Sequence, residues 1–230
     1  MRAAYDGVPQ ARHNDDVIVE IRARLDSYVH NQLPADGRPS AAVLIPIYQA
    51  RGELHIVLTK RTDRVEHHKG EISFPGGARD PEDADLIATA LRESHEEIGL
   101  QRQHVEVIGR VDDFITVSQF HVTPYVGVID PLAAPYRWLP QEREVAEILE
   151  VPLQHLLDPV NLVRERRSMP DGRITDMESF RWRNHLVWGA TARMLKNFLD
   201  VALSPSRPPN PQSWGHRIPG RGSRPPRIGG

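Results

Sequence analysis

The chain has 230 residues, a formal net charge of −2 and no cysteine. Its length suits one domain with extensions, or two small ones, and suffices for a substantial core. The lack of cysteine excludes disulfides, thiolate catalysis and thiolate zinc sites, and the near-neutral charge gives no global field for nucleic acid or an anionic membrane. Residues 1–10 lack a basic segment followed by an apolar one, and no apolar run nears the roughly 20 residues of a membrane span. A cytoplasmic protein is expected, with neither nucleic acid nor membrane as a partner.

Residues 1–14 are polar. Asp15 or Asp16 is a candidate N-cap for a helix to about residue 30, with Val17, Ile21, Leu25 and Tyr28 on one face. Pro34-Ala35-Asp36-Gly37 breaks it. Residues 41–48 and 54–59 read as strands joined by a turn near Ala50-Arg51-Gly52. A charged loop over 61–70 precedes a short strand at 71–74, closed by a turn at Pro75-Gly76-Gly77. A helix is predicted over 85–98, stopped by Gly99, with Ile87, Ala90, Leu91, Ser94 and Ile98 as its inward stripe.

Residues 105–111 and 122–129 read as strands, and 145–157 as a strand-to-helix segment broken at Pro152. Late strands are predicted at 162–166 and 180–187, with Asp171-Gly172 as a turn between them. Thr191 is a candidate cap for a last helix to about residue 203. From Ser204 the chain holds seven prolines, five arginines and no acidic residue, so a disordered tail is expected. The expected organisation is a helical extension over 1–38, a domain over 39–203 and the tail over 204–230. Interleaved strands and few helices suggest an α+β fold, an α/β/α sandwich with a mixed sheet between helices.

The helix over 85–98 is the segment that carries chemistry. At about 100° per residue, Glu93 and Glu97 lie one turn apart on the same side, with Glu96 beside them. Like charges at this spacing repel by roughly 0.2–0.5 kcal/mol per pair on an exposed helix. A hard divalent cation removes that repulsion and takes the oxygens as ligands. The substrate expected is one that magnesium can grip, such as a phosphate.

Gly77, a spacer, Arg92-Glu93 and Glu96-Glu97-Ile98-Gly99-Leu100 resemble the Nudix box, the signature of hydrolases that cleave nucleoside diphosphates linked to another moiety. Asp83 stands where the pattern has its first glutamate, the spacer after it is eight residues rather than seven, and Ser94 holds an apolar slot. The aspartate and the longer spacer are similar to the coenzyme A pyrophosphatase branch. So are Leu58-Thr59-Lys60-Arg61, His68, Gly70 and Phe74-Pro75-Gly76-Gly77 upstream, and Val122-Thr123-Pro124, Glu144-Val145 and Trp188-Gly189 with Thr191-Ala192 downstream. Glu66 stands where that branch has an arginine. The resemblance covers roughly residues 40–200.

It implies a magnesium- or manganese-dependent diphosphatase of coenzyme A or acyl-CoA, a small nucleotide-like substrate. Glu93, Glu96 and Glu97 form the implied metal cluster, with Arg92 orienting a glutamate. The implied base is Glu96 or Glu144, and Glu147 is a further candidate for base or ligand. Lys60, Arg61, Arg64, His68, Lys69, Gly70, Gly76 and Gly77 are the implied substrate contacts. Two alternatives stand beside this reading: the same chemistry on ADP-ribose, NADH or an oxidised nucleoside triphosphate, and a nucleotide-binding module without catalysis. The family often dimerises, and the apolar stretch near 180–195, with Phe180, Trp182 and Trp188, is assigned to core or homodimer packing.

Overall fold

The computed structural model describes residues 14–34, 36–63, 70–133, 135–168 and 174–204. Helix α1 (Asn14–Ser27) begins one residue before the predicted caps and stops short of residue 30. Beyond it, residues 28–33 are tied to a connecting segment at residues 112–113 instead. Tyr28 and the amide of Asn31 donate to Asp112 at 2.6 and 2.7 Å, and the amide of Leu33 donates to Asp113 at 3.1 Å.

A mixed sheet forms the middle layer. Its strand β1 (Ser40–Ala50) turns at Arg51 and Gly52 into β2 (Glu53–Arg61). Both turn residues have positive φ, +53° and +81°, as a tight hairpin requires. β1 runs parallel to β7 (His121–Ile129), and β5 (Val105–Arg110) continues antiparallel beyond β7. On the other side, β8 (Val145–Pro152) flanks β2. The small β6 (Phe114–Ile115) also pairs with β7.

β1 and β2 pair only near their turn and then diverge. The segment holding β3 (Ile72–Ser73) and β4 (Gly76–Ala78) wedges into the gap. β3 pairs with Thr59 and Lys60, and β4 with Ala41, Ala42 and Val43. The amides of Leu44 and Arg61 close on the carbonyls of Pro75 and Glu71, both at 2.9 Å. Gly76 and Gly77 are therefore strand residues, where the sequence suggested a closing turn.

Helix α2 (Leu86–Ile98) covers one face, packing Ala90, Leu91 and Ile98 on Ala42, Leu44 and Val57. Both of its ends match expectation. The Asp85 side chain accepts from the Ala88 amide at 2.7 Å, and Gly99 takes φ +73°. The opposite face is covered by α1 and α4 (Gly189–Leu203), whose Leu195, Phe198 and Leu199 meet Ile21, Ile45, Ile47, Ile56 and Leu58. The result is an α/β/α arrangement of the α+β class.

After Pro152 the chain forms the short α3 (Leu153–Leu157), then a second sheet of β9 (Leu162–Ser168), β10 (Ile174–Trp182) and β11 (His185–Val187). The single late strand predicted at 180–187 is in fact a hairpin that turns at Arg183, φ +53°. The predicted Asp171-Gly172 turn and the tail from residue 205 lie outside the described residues. α4 starts at Gly189, so Thr191 is a buried residue of its first turn rather than its cap. Phe180 is core, whereas Trp188 is 46% exposed. Among the described residues, no helix is long and apolar enough to cross a membrane.

Candidate active site

The site lies where α2 faces the β3–β4 wedge. Glu97 is 5% exposed, and its Oε2 accepts from the Gly76 amide at 3.3 Å. Its Oε1 lies 3.9 Å from the Arg61 guanidinium. Burial, reinforced by the charge of Glu93, pushes the Glu97 carboxyl up to about 8; the Gly76 amide and Arg61 oppose the shift and Glu144 adds to it. Burial also raises Glu93, against the pull of Arg92.

Glu93 lies against Gly77, where a Cβ would stand 2.5 Å from its Oε1. Glycine there leaves that carboxylate in place, where a side chain would push it aside. At Gly76 glycine is required, by conformation as well as space: φ is +153°, and a Cβ would meet the Ala42 carbonyl oxygen at 2.4 Å.

Arg92 organises the outer side of the helix. Its Nε and Nη2 fork onto the two oxygens of Asp83, each at 3.0 Å, and Nη1 donates to Glu93 at 3.0 Å and Glu96 at 3.1 Å. Asp83 also accepts from the Thr89 hydroxyl at 2.9 Å and the Asp80 amide at 3.0 Å. The Arg92 fork holds its carboxyl well below the usual carboxylate range. Asp83, noted in the sequence only as a departure from the box, thus anchors the arginine that touches Glu93.

Glu96 differs from its two neighbours. Its side chain is 51% exposed and is directed to Arg92. Among the described residues, no three His, Asp or Glu side chains form a ready-made metal cage. Glu93 and Glu97 alone still suit a hard cation, because magnesium takes one or two carboxylates and keeps several waters. Glu97 is buried, Glu93 is half-buried, and the charge of Glu93 disfavours ionisation of Glu97, which is the condition that a bound cation relieves.

The remaining candidates divide by position. Glu144 follows a loop that crosses the end of α2, and its charge is felt by both Glu93 and Glu97. Glu147 alternates to the opposite face, where its Oε2 lies 3.3 Å from Nε2 of the buried His185. Lys60 follows the alternation of Ile56 and Leu58 and leaves the Glu97 side, while Arg61 remains on it. Gly70 takes φ +67° just before the Glu71 carbonyl that binds Arg61. Arg64, His68 and Lys69, with Glu66 and His67, lie outside the described residues.

Residues 38–172 match the family described as the NUDIX domain. A curated relative from Enterobacter sp. (strain 638), named as an uncharacterized Nudix hydrolase NudL, is 38% identical over 175 residues, covering 73% of this chain and 85% of its own. The protein of that name from Salmonella paratyphi B is 38% identical over 172 residues, covering 72% and 84%. A solved MutT/nudix family protein from Enterococcus faecalis aligns with TM-score 0.46 at 13% identity, covering 73% of this chain and 63% of its own. With the match over residues 38–172 and relatives 38% identical over most of both chains, the chain belongs to the Nudix hydrolase family.

Proposed function

We propose that this chain is a magnesium- or manganese-dependent pyrophosphatase of coenzyme A and its thioesters, forming 4′-phosphopantetheine (or its acylated form) and adenosine 3′,5′-bisphosphate. The observation that carries the chemistry is the buried Glu97 beside Glu93, set against a glycine backbone. Support for the substrate class comes from Leu58-Thr59-Lys60-Arg61 and Phe74-Pro75-Gly76-Gly77, which resemble the coenzyme A branch and pack together through β2 and the wedge.

Glu93 and Glu97 would hold the metal, with Glu96 at the rim. When bound, such an ion supplies charge neutralisation for a diphosphate and acidifies water. Gly77 leaves room for the Glu93 carboxylate, and Gly76 sets its amide on Glu97. Arg61 offers its guanidinium to phosphate oxygens. Glu144 accepts the proton of the attacking water. The water oxygen bonds to one phosphorus, the bond from that phosphorus to the bridging oxygen breaks, and the second phosphate leaves with the electron pair. Arg92, anchored by Asp83, keeps Glu93 in place.

A second reading keeps the chemistry and moves the substrate to ADP-ribose, NADH or an oxidised nucleoside triphosphate. Glu66 favours it, since the coenzyme A branch has an arginine there.

The test is chromatography of products from coenzyme A, ADP-ribose, NADH and nucleoside triphosphates with magnesium or manganese. Adenosine 3′,5′-bisphosphate from coenzyme A supports the proposal. Cleavage of another substrate alone favours the second reading, and no cleavage of any overturns both in favour of a binding module.

A further inference from the structure

The loop that carries Glu144 is fastened at both ends. It crosses the C-terminus of α2, where the amides of Leu139 and Gln141 donate to the carbonyls of Ile98 and Glu97 at 3.0 and 2.9 Å. The Tyr136 hydroxyl donates to the carbonyl of Gly99 at 3.2 Å. These are carbonyls that a helix end leaves without partners, so the loop serves as its cap. The Gln141 carbonyl then accepts from the amides of Glu144 and Val145, both at 2.9 Å, and turns the chain into β8.

The other end is held by one residue just beyond β2. The Thr62 hydroxyl donates to the Arg143 carbonyl at 2.8 Å. The Thr62 amide donates to the Glu144 carbonyl, also at 2.8 Å. Thr62 is only 7% exposed. The carbonyls on both sides of the Glu144 Cα therefore end on a single threonine, next to Arg61.

We propose that Thr62 is a positioning residue for the reaction, fixing the backbone of Glu144 so that its carboxylate stays at the Glu93–Glu97 cleft. This rests on the pyrophosphatase reading above. Thr62 touches no reacting atom; it acts through Glu144. Valine at this position keeps the shape and the amide but removes the hydroxyl, leaving the Arg143 carbonyl without that donor.

The experiment uses the full chain with Thr62→Val, Thr62→Ala and Thr62→Ser, and with Thr62→Val combined with Glu144→Gln. Kinetics on coenzyme A are measured together with the rate of tryptic cleavage after Arg143, normalised to cleavage after Arg110 as a report of global unfolding. Thr62→Val and Thr62→Ala are expected to lower kcat about 10- to 100-fold, with KM within about twofold. Thr62→Ser restores kcat, and Thr62→Val costs nothing further once Glu144 is glutamine. Cleavage after Arg143 accelerates in the valine and alanine variants and not in the serine variant.

An unchanged kcat, or losses that multiply in the double variant, would overturn the proposal. If the wild type cleaves no diphosphate at all, the pyrophosphatase reading falls, and the cleavage rates still decide the tether. Faster release in Thr62→Val supports it, and equal rates sink it.

Discussion

The backbone of Gly77 lies so close to Glu93 that an added Cβ would stand 2.5 Å from Oε1. The obstacle is the end of a flexible side chain, so Gly77→Ala is expected to fold and to displace the carboxylate. Activity should fall about 100-fold, the order expected for roughly ångström misplacement, with weaker metal binding by calorimetry and little change in melting temperature. Gly76→Ala meets backbone at 2.4 Å and a φ of +153°, so it should lower the melting temperature first. Equal melting temperatures for the two variants would contradict this division.

Glu97 links stability to pH in the metal-free protein. Its value rises from an ordinary 4.5 to about 8 on folding. The folded state therefore holds the proton more tightly, and its stability contribution is full below about 4.5 and lost as pH rises through about 8. Denaturation of wild type and Glu97→Gln across this window should show the wild type losing ground as pH rises. Saturating magnesium should reverse the difference at high pH, because it binds only the folded state with Glu97 ionised.

The same Glu97→Gln variant should lose about a thousandfold in kcat, since several kcal/mol of charge stabilisation depend on the metal. Wild-type turnover in a folded Glu97→Gln protein would remove Glu97 from the ligand set.

Asp83 carries structural weight for the site. Asp83→Asn leaves Arg92 without its fork and is expected to destabilise by about 3 kcal/mol, or roughly 6–12 °C. Activity should fall as well, through Glu93. Asp83 is held below the usual carboxylate range, so the stability it confers is present above about 3.8 and is lost as pH falls through the lower folded value. An unchanged acid-denaturation midpoint in Asp83→Asn would refute this.

Glu144 and Glu147 are three residues apart and make opposite predictions. Glu144→Gln should cost about 100- to 10,000-fold in kcat as loss of a general base. Glu147→Gln should leave kcat near wild type, because it faces His185 across the sheet.

Helix α2 was legible because every local cue agrees: an aspartate cap, a helical apolar stripe and a stop glycine. Strands β1, β2 and β7 were legible from runs of Val, Ile and Tyr. The glycines of β4 were not, because glycine disfavours strands and only pairing with β1 overrides that. The His185 partner of Glu147 lies 38 residues along the chain. The roles of Asp83 and Thr62 were hidden for a related reason. Asp83 acts mainly through the Arg92 side chain nine residues on, and Thr62 through backbone carbonyls 81 and 82 residues on, and no local pattern announces either.

The family match ends at residue 172 and starts at 38, yet one side of the sheet is closed by helices on either side of that span. α1 and α4 pack in one core cluster, and Arg24 donates to the Ser204 carbonyl at 2.7 Å. During synthesis, every described side chain of the candidate site has been made once β8 is complete. Ile45, Ile47, Ile56 and Leu58 must still wait for residues 189–203 to leave the ribosome before their cover is finished. The nascent chain thus passes through an interval in which every described side chain of the candidate site exists while one face of the sheet has α1 but still lacks α4.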